Sequence, residues 1–480
     1  MKFLTKIILI NILISASIFA QGFGSHGAVN AKNIALGSTN AVSSRGVFAL
    51  GVNPANLVVA QNHKIEVATI LPLPTLNVTV GNDFFTLNDY QYFFTGVQGA
   101  NGQSVGRHLT ESDKQRFMAL FDEGTLINTN VGTTLLAFSL YPNKQIGAVG
   151  FSISDWTSMN VNFPTGIMEL VLYGNKKGQI FDMNNTDMES WYLRNYSLSY
   201  SRDISKVFRD AFKFFSVGLS VKMVHGLFYS GIDKMNTSLE TLDDNTIRVN
   251  GDSRILMATS PSFGVKYDFD EEGTENEQSI GLFNTPAGTG LGVDFGIYAE
   301  INKVWSFAVA LTDLGSINWN KGTVAYTSEG SFLLENVSDE GIFDSLSNAL
   351  QGEGAYTDAF STSLATAMKL GIGFKLDKLL KGNFPGEMMI EFNYHQGFNN
   401  MPSNSTKERF SLGMEWAPIN WFKFRTGASV GGYDKFNWAM GLGFNTGIVD
   451  LDFAASYFNS YIDGNDAKRL GFAMSSRWTF

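Results

Sequence analysis

No cysteine occurs anywhere in the 480 residues. That excludes a disulfide framework, thiol chemistry, thiolate zinc clusters and a lipid anchor on an N-terminal cysteine. After Ala20 no stretch stays apolar for the roughly 18 residues that a membrane-spanning helix needs, so a helical membrane protein is excluded too. Basic charge is in short supply: 35 Lys and Arg stand against 45 Asp and Glu. Nucleic-acid binding therefore gets no support. Histidine is scarcer still. His26, His63, His108, His225 and His395 show no HExxH-like spacing, so neither a metal centre nor a cofactor is expected.

What is present begins at the N-terminus. Lys2 and Lys6 precede an apolar stretch from Ile7 to Phe19 and small residues around Ala20. This reads as a secretory signal over 1–20, cleaved before Gln21. Its removal leaves 33 basic residues against 45 acidic, a net charge of −12. Glycine (49) and phenylalanine (40) are both abundant. Glycine lets strands bend and pack closely, and phenylalanine suits a lipid-facing surface. At the other end, Leu470, Phe472, Met474, Trp478 and Phe480 alternate with Gly471, Ala473, Ser475, Arg477 and Thr479. Side chains on a strand point to opposite faces with period two. The strand therefore has one oily face, broken only by Ser476, and one small or polar face. A last strand ending on phenylalanine resembles the C-terminus of outer-membrane barrels.

Short turns inside and long loops outside allow the strands to be counted back from Phe480. The alternation predicts strands over 468–480, 448–460, 433–446, 419–430, 407–417, 385–396, 362–376, 303–314, 290–301, 212–228, 190–204, 144–154, 130–141 and 64–81. That is an even 14, with both chain ends on the inner side. The segments 246–266 and 316–333 also read as strands, and parity assigns them to hairpins standing above the membrane. Four long external excursions follow: 82–129, 155–189, 229–289 and 315–361. In the first, Thr110 and Asp113 form a capping-box pattern ahead of a helix through Phe117, Leu120 and Phe121 that stops at Gly124. The last holds a second amphipathic segment, Ile342, Phe343, Leu346 and Leu350.

Residues 31–57 read AKNIALGSTNAVSSRGVFALGVNPANL, with Ala35-Leu36-Gly37 followed by Asn53-Pro54-Ala55. This resembles the hatch of the FadL-like superfamily of outer-membrane transporters. It is closer to a branch of that superfamily related to PorV-type proteins of the type IX secretion system. Asp294-Phe295-Gly296-Ile297-Tyr298 and Leu311-Thr312-Asp313-Leu314-Gly315 echo the same pattern, whereas Asn56 departs from its usual glycine. The resemblance implies an N-terminal plug inside a 14-stranded barrel. The fold expected is all-β: a 14-stranded antiparallel transmembrane β-barrel with a hatch over 21–63, the barrel over 64–480, and long extracellular loops carrying short helices.

The face assignments gather charge at the inner end of the lumen. Glu391, Asn393, His395, Glu415, Lys423, Arg425, Asp450, Asp452 and Arg477 point inward, as do Lys369, Lys375, Asp294 and Glu300. Buried charges need partners, so this collar is expected to grip the hatch, with Arg45 as one partner. A polar gate around the plug is the functional alternative. Outside, Phe84, Phe85, Tyr90, Tyr92, Phe93, Phe94, Phe163, Ile167, Met168, Leu170 and Leu172 are expected either to line an apolar ligand groove or to pack against one another. Asp268-Phe269-Asp270-Glu271-Glu272-Gly273 begins like a calcium loop but carries Ser279 where the bidentate glutamate belongs, and reads as a solvated acidic loop. Gly150-Phe151-Ser152-Ile153-Ser154 lacks the second glycine of a nucleophile elbow. No enzyme is expected. The expectation is an integral outer-membrane barrel with periplasmic termini, surrounded by lipid, that binds or admits a hydrophobic or amphiphilic small molecule. The alternative is a non-transporting partner of a secretion or envelope protein complex.

Overall fold

A strand with one apolar face is stable in a membrane only if every backbone group finds a partner within a closed sheet. The computed structural model closes it. It describes residues 30–59, 63–98, 104–122, 124–174, 176–208, 211–243, 246–270, 278–281, 283–335, 352–380, 384–433 and 435–480. The signal sequence, His26, the segment 342–350 and the acidic residues 271–277 lie outside this description. Fourteen antiparallel strands form the ring: β1 (Ile65–Thr69 and Thr75–Asn82), β2 (Leu126–Asn143), β3 (Gly147–Asn162), β4 (Asp187–Asp203), β5 (Phe214–Met235), β6 (Gly288–Glu300) and β7 (Trp305–Trp319), then β8 (Phe360–Ser363 and Ala367–Lys375), β9 (Glu387–Gly397), β10 (Arg409–Ile419), β11 (Phe422–Gly431), β12 (Phe436–Asn445), β13 (Val449–Ser456) and β14 (Arg469–Thr479). Both segments of β1 pair with β2 on one side and β14 on the other, which shuts the barrel. Among the described residues no helix is long and apolar enough to cross a membrane.

The outward faces carry the oil. Val80, Leu198, Leu219, Val221, Leu291, Phe295, Phe392, Leu412 and Leu470 are all exposed, while their sequence neighbours point into the lumen. An apolar band of this kind on the outside of a polar-lined barrel is the surface that a lipid bilayer covers.

Two strands depart from expectation. The strand expected over 64–81 is interrupted at 70–74, where Ile70 and Leu71 swing outward and are more than half exposed. Ser476, the one break in the apolar comb of β14, explains how the excursion is held. Its hydroxyl donates to the Leu73 carbonyl (2.6 Å), and the Trp478 indole donates to Leu71 O (3.0 Å).

The two external segments expected as hairpins also pair with each other: Thr246–Thr259 forms a hairpin with Ser238–Asp243 and meets the second segment on its other edge. Thr246–Thr259 runs against Thr323–Glu335 along thirteen register pairs, and also against Phe228–Met235 at the top of β5. The reason is an open edge. At 22 residues β5 outgrows its 13-residue neighbour β6, whose pairing stops at Gly288 opposite Gly226, and Thr246–Thr259 covers the backbone groups left open on that edge. Glu353–Tyr356 then adds to the far side of Thr323–Glu335, making an external sheet continuous with the barrel wall.

The first excursion holds α2 (Leu87–Phe94) and α3 (Glu111–Ala119), each started by a capping box, Thr86 with Asp89 and Thr110 with Asp113. The Tyr92 hydroxyl donates to Asp113 at 2.6 Å, and this bond holds the Asp113 carboxyl down at about 2.

Candidate functional site

The described part of the hatch is short helical turns joined by tight bends, and its backbone donors need partners inside the barrel. Residues Ala31–Ala35 form α1, a single turn ahead of the other two, capped by the Asn30 side chain accepting from Asn33 N at 3.0 Å. The bend that follows aims four consecutive amides at β9. Asn393 Oδ1 accepts from Asn40 N and Ala41 N (2.8 and 2.9 Å), and the two oxygens of Glu391 accept from Val42 N and Ser43 N (2.7 and 2.9 Å).

Asn53-Pro54-Ala55 works in the same way. The Asn53 side chain caps the short helix Pro54–Val58 by accepting from Ala55 N, and donates to Ile297 O of β6 (3.2 Å). Ala55 O accepts from Ser201 and Ser216, both at 2.9 Å. Asn56, the departure from the hatch pattern, donates to Ala41 O (2.8 Å) and so ties the two bends together.

Charge completes the seat. Arg425 bridges Glu415 and Asp452, each at 2.6 Å, and Lys32 of the hatch reaches Glu415 at 3.4 Å. Arg477 pairs with Asp450 and with Glu66 of β1, whose carboxylate in turn accepts from Val47 N at 2.8 Å. Lys423 lies at the edge of this network. Glu66 and Lys32 were missed in the sequence. Glu66 carried a signal, since it stands two residues from the start of β1 on the lumenal side.

Other collar residues stand elsewhere. Arg45 turns from the collar carboxylates to the Tyr298 hydroxyl (2.9 Å). Asp294 lies higher, sharing the buried Lys222 ammonium with Asp313 (2.7 and 2.6 Å). Lys369 and His395 face each other across β8 and β9, away from the hatch. Glu300 and Lys375 pair at the inner rim, where Glu300 also meets Lys213.

Glycines on the lumenal wall let the hatch sit against bare backbone. A Cβ on Gly427 would come within 2.1 Å of Leu36 C, one on Gly218 within 2.3 Å of Pro54 C, and one on Gly441 within 2.5 Å of Ala35 Cβ. Gly371, Gly373 and Gly413 face Ala41, Val42 and Leu36 in the same way.

Replacing Glu391 with leucine strands two buried amides, at about 1–3 kcal/mol each. The expected result is a lower unfolding temperature and faster protease cleavage of the hatch, and unchanged cleavage would count against the grip.

Above the hatch the lumen narrows to a cavity of ≈ 40 Å³ lined by Phe48, Leu50, Ala68, Thr75, Asn195 and Lys222. The mouth above it is filled by Trp156, Trp191 and Trp319, all essentially fully buried, with Leu193, Ile317 and Met401. Outside the wall, Phe84 and Phe93 are buried with Phe117 and Phe121, and Phe163 and Met168 pack against them. Of the eleven side chains expected to line a groove or to pack together, Phe84, Phe85, Tyr92, Phe93, Phe163, Met168 and Leu172 hold this cluster together, and Ile167 and Leu170 pack against Phe181 and Leu239. Phe85 and Phe94 also line an open groove of ≈ 480 Å³ with Leu87 and Tyr90.

A family model matches residues 54–455. The chain belongs to DUF5723, a family of unknown function. No curated protein matches this DUF5723 chain. Among solved structures it is similar to the Ralstonia pickettii toluene transporter TbuX (11% identity, 95% of this chain and 99% of that one, TM-score 0.46). It is similar too to the Pseudomonas putida toluene transporter TodX (9%, 96% and 100%, 0.43) and a Pseudomonas aeruginosa FadL homologue (12%, 96% and 100%, 0.40). The count of fourteen strands stands on this chain's own pairing.

Proposed function

We propose that this chain is an outer-membrane barrel that binds a hydrophobic or amphiphilic small molecule at its external loops and admits it past a hatch formed by 21–63. Both termini then lie on the periplasmic side, after removal of the signal over 1–20. The interruption at 70–74 carries this reading. Between Val67 opposite Trp478 and Leu76 opposite Met474, eight residues of β1 stand against three of β14, so the wall ladder is broken there. Ala68 and Thr75 at its edges also line the lumenal cavity beside Phe48 and Leu50 of the hatch. A seam between bilayer and lumen at the level of the plug is what an apolar solute needs to avoid the sealed mouth.

Deleting 70–74 joins Thr69 to Thr75 in register with β14 and preserves the alternation of faces. Entry of an apolar fluorescent probe into proteoliposomes is expected to fall to background while the barrel still assembles. Undiminished entry would overturn the seam.

A second reading is a non-transporting partner similar to PorV-type proteins. The external sheet built on β5 favours it, because it offers a broad platform above a mouth closed by three tryptophans. Purification in mild detergent separates the two readings. A bound amphiphile without protein supports admission, and a stoichiometric protein without ligand supports the platform.

A further inference from the structure

At the external end of β3 and β4, two carboxylates lack a counter-charge. Asp187 and Glu189 are two residues apart on the same face of β4, and they stand opposite Asn162 and Asn160 of β3. Glu189 lies nine residues, or about 30 Å of extended chain, outward of the lipid-facing Leu198, at the external end of β4. Neither carboxylate forms an ion pair among the described residues. The one side-chain bond to Glu189 is a long one, donated by Tyr229 at 3.4 Å.

A second, independent feature marks the place. Asn160 is 6% exposed; its amide nitrogen faces the Tyr433 hydroxyl, which itself donates to Asn400 O at 3.2 Å, while its amide oxygen has no hydrogen-bond partner among the described residues. Leaving such an oxygen unsatisfied is costly in a folded protein unless something else occupies the site.

We propose that Glu189, Asp187 and the Asn160 amide oxygen hold a divalent cation of the calcium class at the barrel mouth. The donors are all oxygen, which suits a hard cation, and two negative charges match its two positive ones. No third acidic or histidine side chain completes the group among the described residues, so water fills the remaining positions. The ion would tie β3 to β4 directly above Trp191 and so stiffen the closed mouth. This inference is independent of whether any solute is admitted.

The test uses the full chain in detergent, stripped with EDTA near neutral pH and titrated with calcium chloride or terbium chloride. Calcium is expected to raise the unfolding temperature saturably, and terbium to luminesce when excited through the nearby tryptophan. Glu189→Gln should abolish both, while unfolding no lower than the stripped wild type because it relieves the repulsion. Asn160→Leu, which changes no charge, should weaken the apparent affinity. Asp268→Asn with Asp270→Asn should leave both effects intact. No calcium shift in the wild type, the same shift in Glu189→Gln, or a shift lost only in the Asp268 and Asp270 variant would overturn the site.

Discussion

Alanine at both Asp450 and Asp452 is expected to loosen the hatch without preventing barrel assembly. Each aspartate is a direct partner of an arginine in the collar: Asp452 shares the buried Arg425 with Glu415 at equal distance, and Asp450 is the nearer partner of the partly buried Arg477. Losing both leaves each guanidinium with a single carboxylate, Glu415 or Glu66, in a site where water cannot replace the missing charge. Breaking a buried pair costs about 3–5 kcal/mol. Because each arginine retains a partner, the lower end, about 3 kcal/mol per arginine, is the reasonable scale. The wall itself is untouched, since the backbone ladders of β12, β13 and β14 do not involve these side chains. The measurement is heat-dependent gel migration together with leakage of small sugars from proteoliposomes. Unchanged migration and leakage would show that the collar does not hold the plug.

Adding one methyl group at Gly427 is expected to have a comparable effect by a different route. The new carbon would lie 2.1 Å from Leu36 C and 2.2 Å from Leu36 O. Both are backbone atoms of the hatch, so no side chain can swing aside. Overpacking a filled interior costs about 1–3 kcal/mol, and here the strain falls on the docked segment rather than on β11. Gly427→Ala should therefore assemble as a barrel while its hatch becomes open to protease and to amide exchange. Gly464→Ala, where an added carbon meets nothing within 4 Å, is the matched control. Equal protection in both variants would mean that the hatch sits more loosely than its contacts indicate.

The wall was legible because period-two alternation is enforced by lipid on one side and by a polar lumen on the other. All 14 strands stand where that alternation predicts them, although the first is interrupted at 70–74 and β2, β3, β5 and β7 run several residues further outward. Above the bilayer the constraint disappears. There, Thr246–Thr259 alternates like a wall strand, and nothing in its pattern tells that it takes Thr323–Glu335 as a second partner besides its own neighbour Ser238–Asp243. The break at 70–74 was written as Leu71-Pro72-Leu73-Pro74, and its counterpart was visible as Ser476 in an otherwise apolar comb.

At the site, charge on the lumenal face was readable, but partner choice was not. Glu391 and Asn393 bind backbone amides, which no side-chain pattern reveals. Asp294 was grouped with the collar by face alone, whereas its height along β6 gives it to Lys222. The phenylalanines of the first excursion were identified as a cluster. Their division into a packed core and the exposed groove depends on α3, which brings Phe117 and Phe121 into the centre.

Glu66 and Arg477 have a consequence for how the molecule is made. They lie on β1 and β14, the two strands that meet last along the chain, and both contact the plug region, Glu66 through Val47 N and Arg477 over the Phe48 ring. Wall and plug thus share residues at the one joint where the chain's two ends must find each other. The joint that closes the ring and the grip on the plug are therefore a single set of contacts, so a change there loosens both at once.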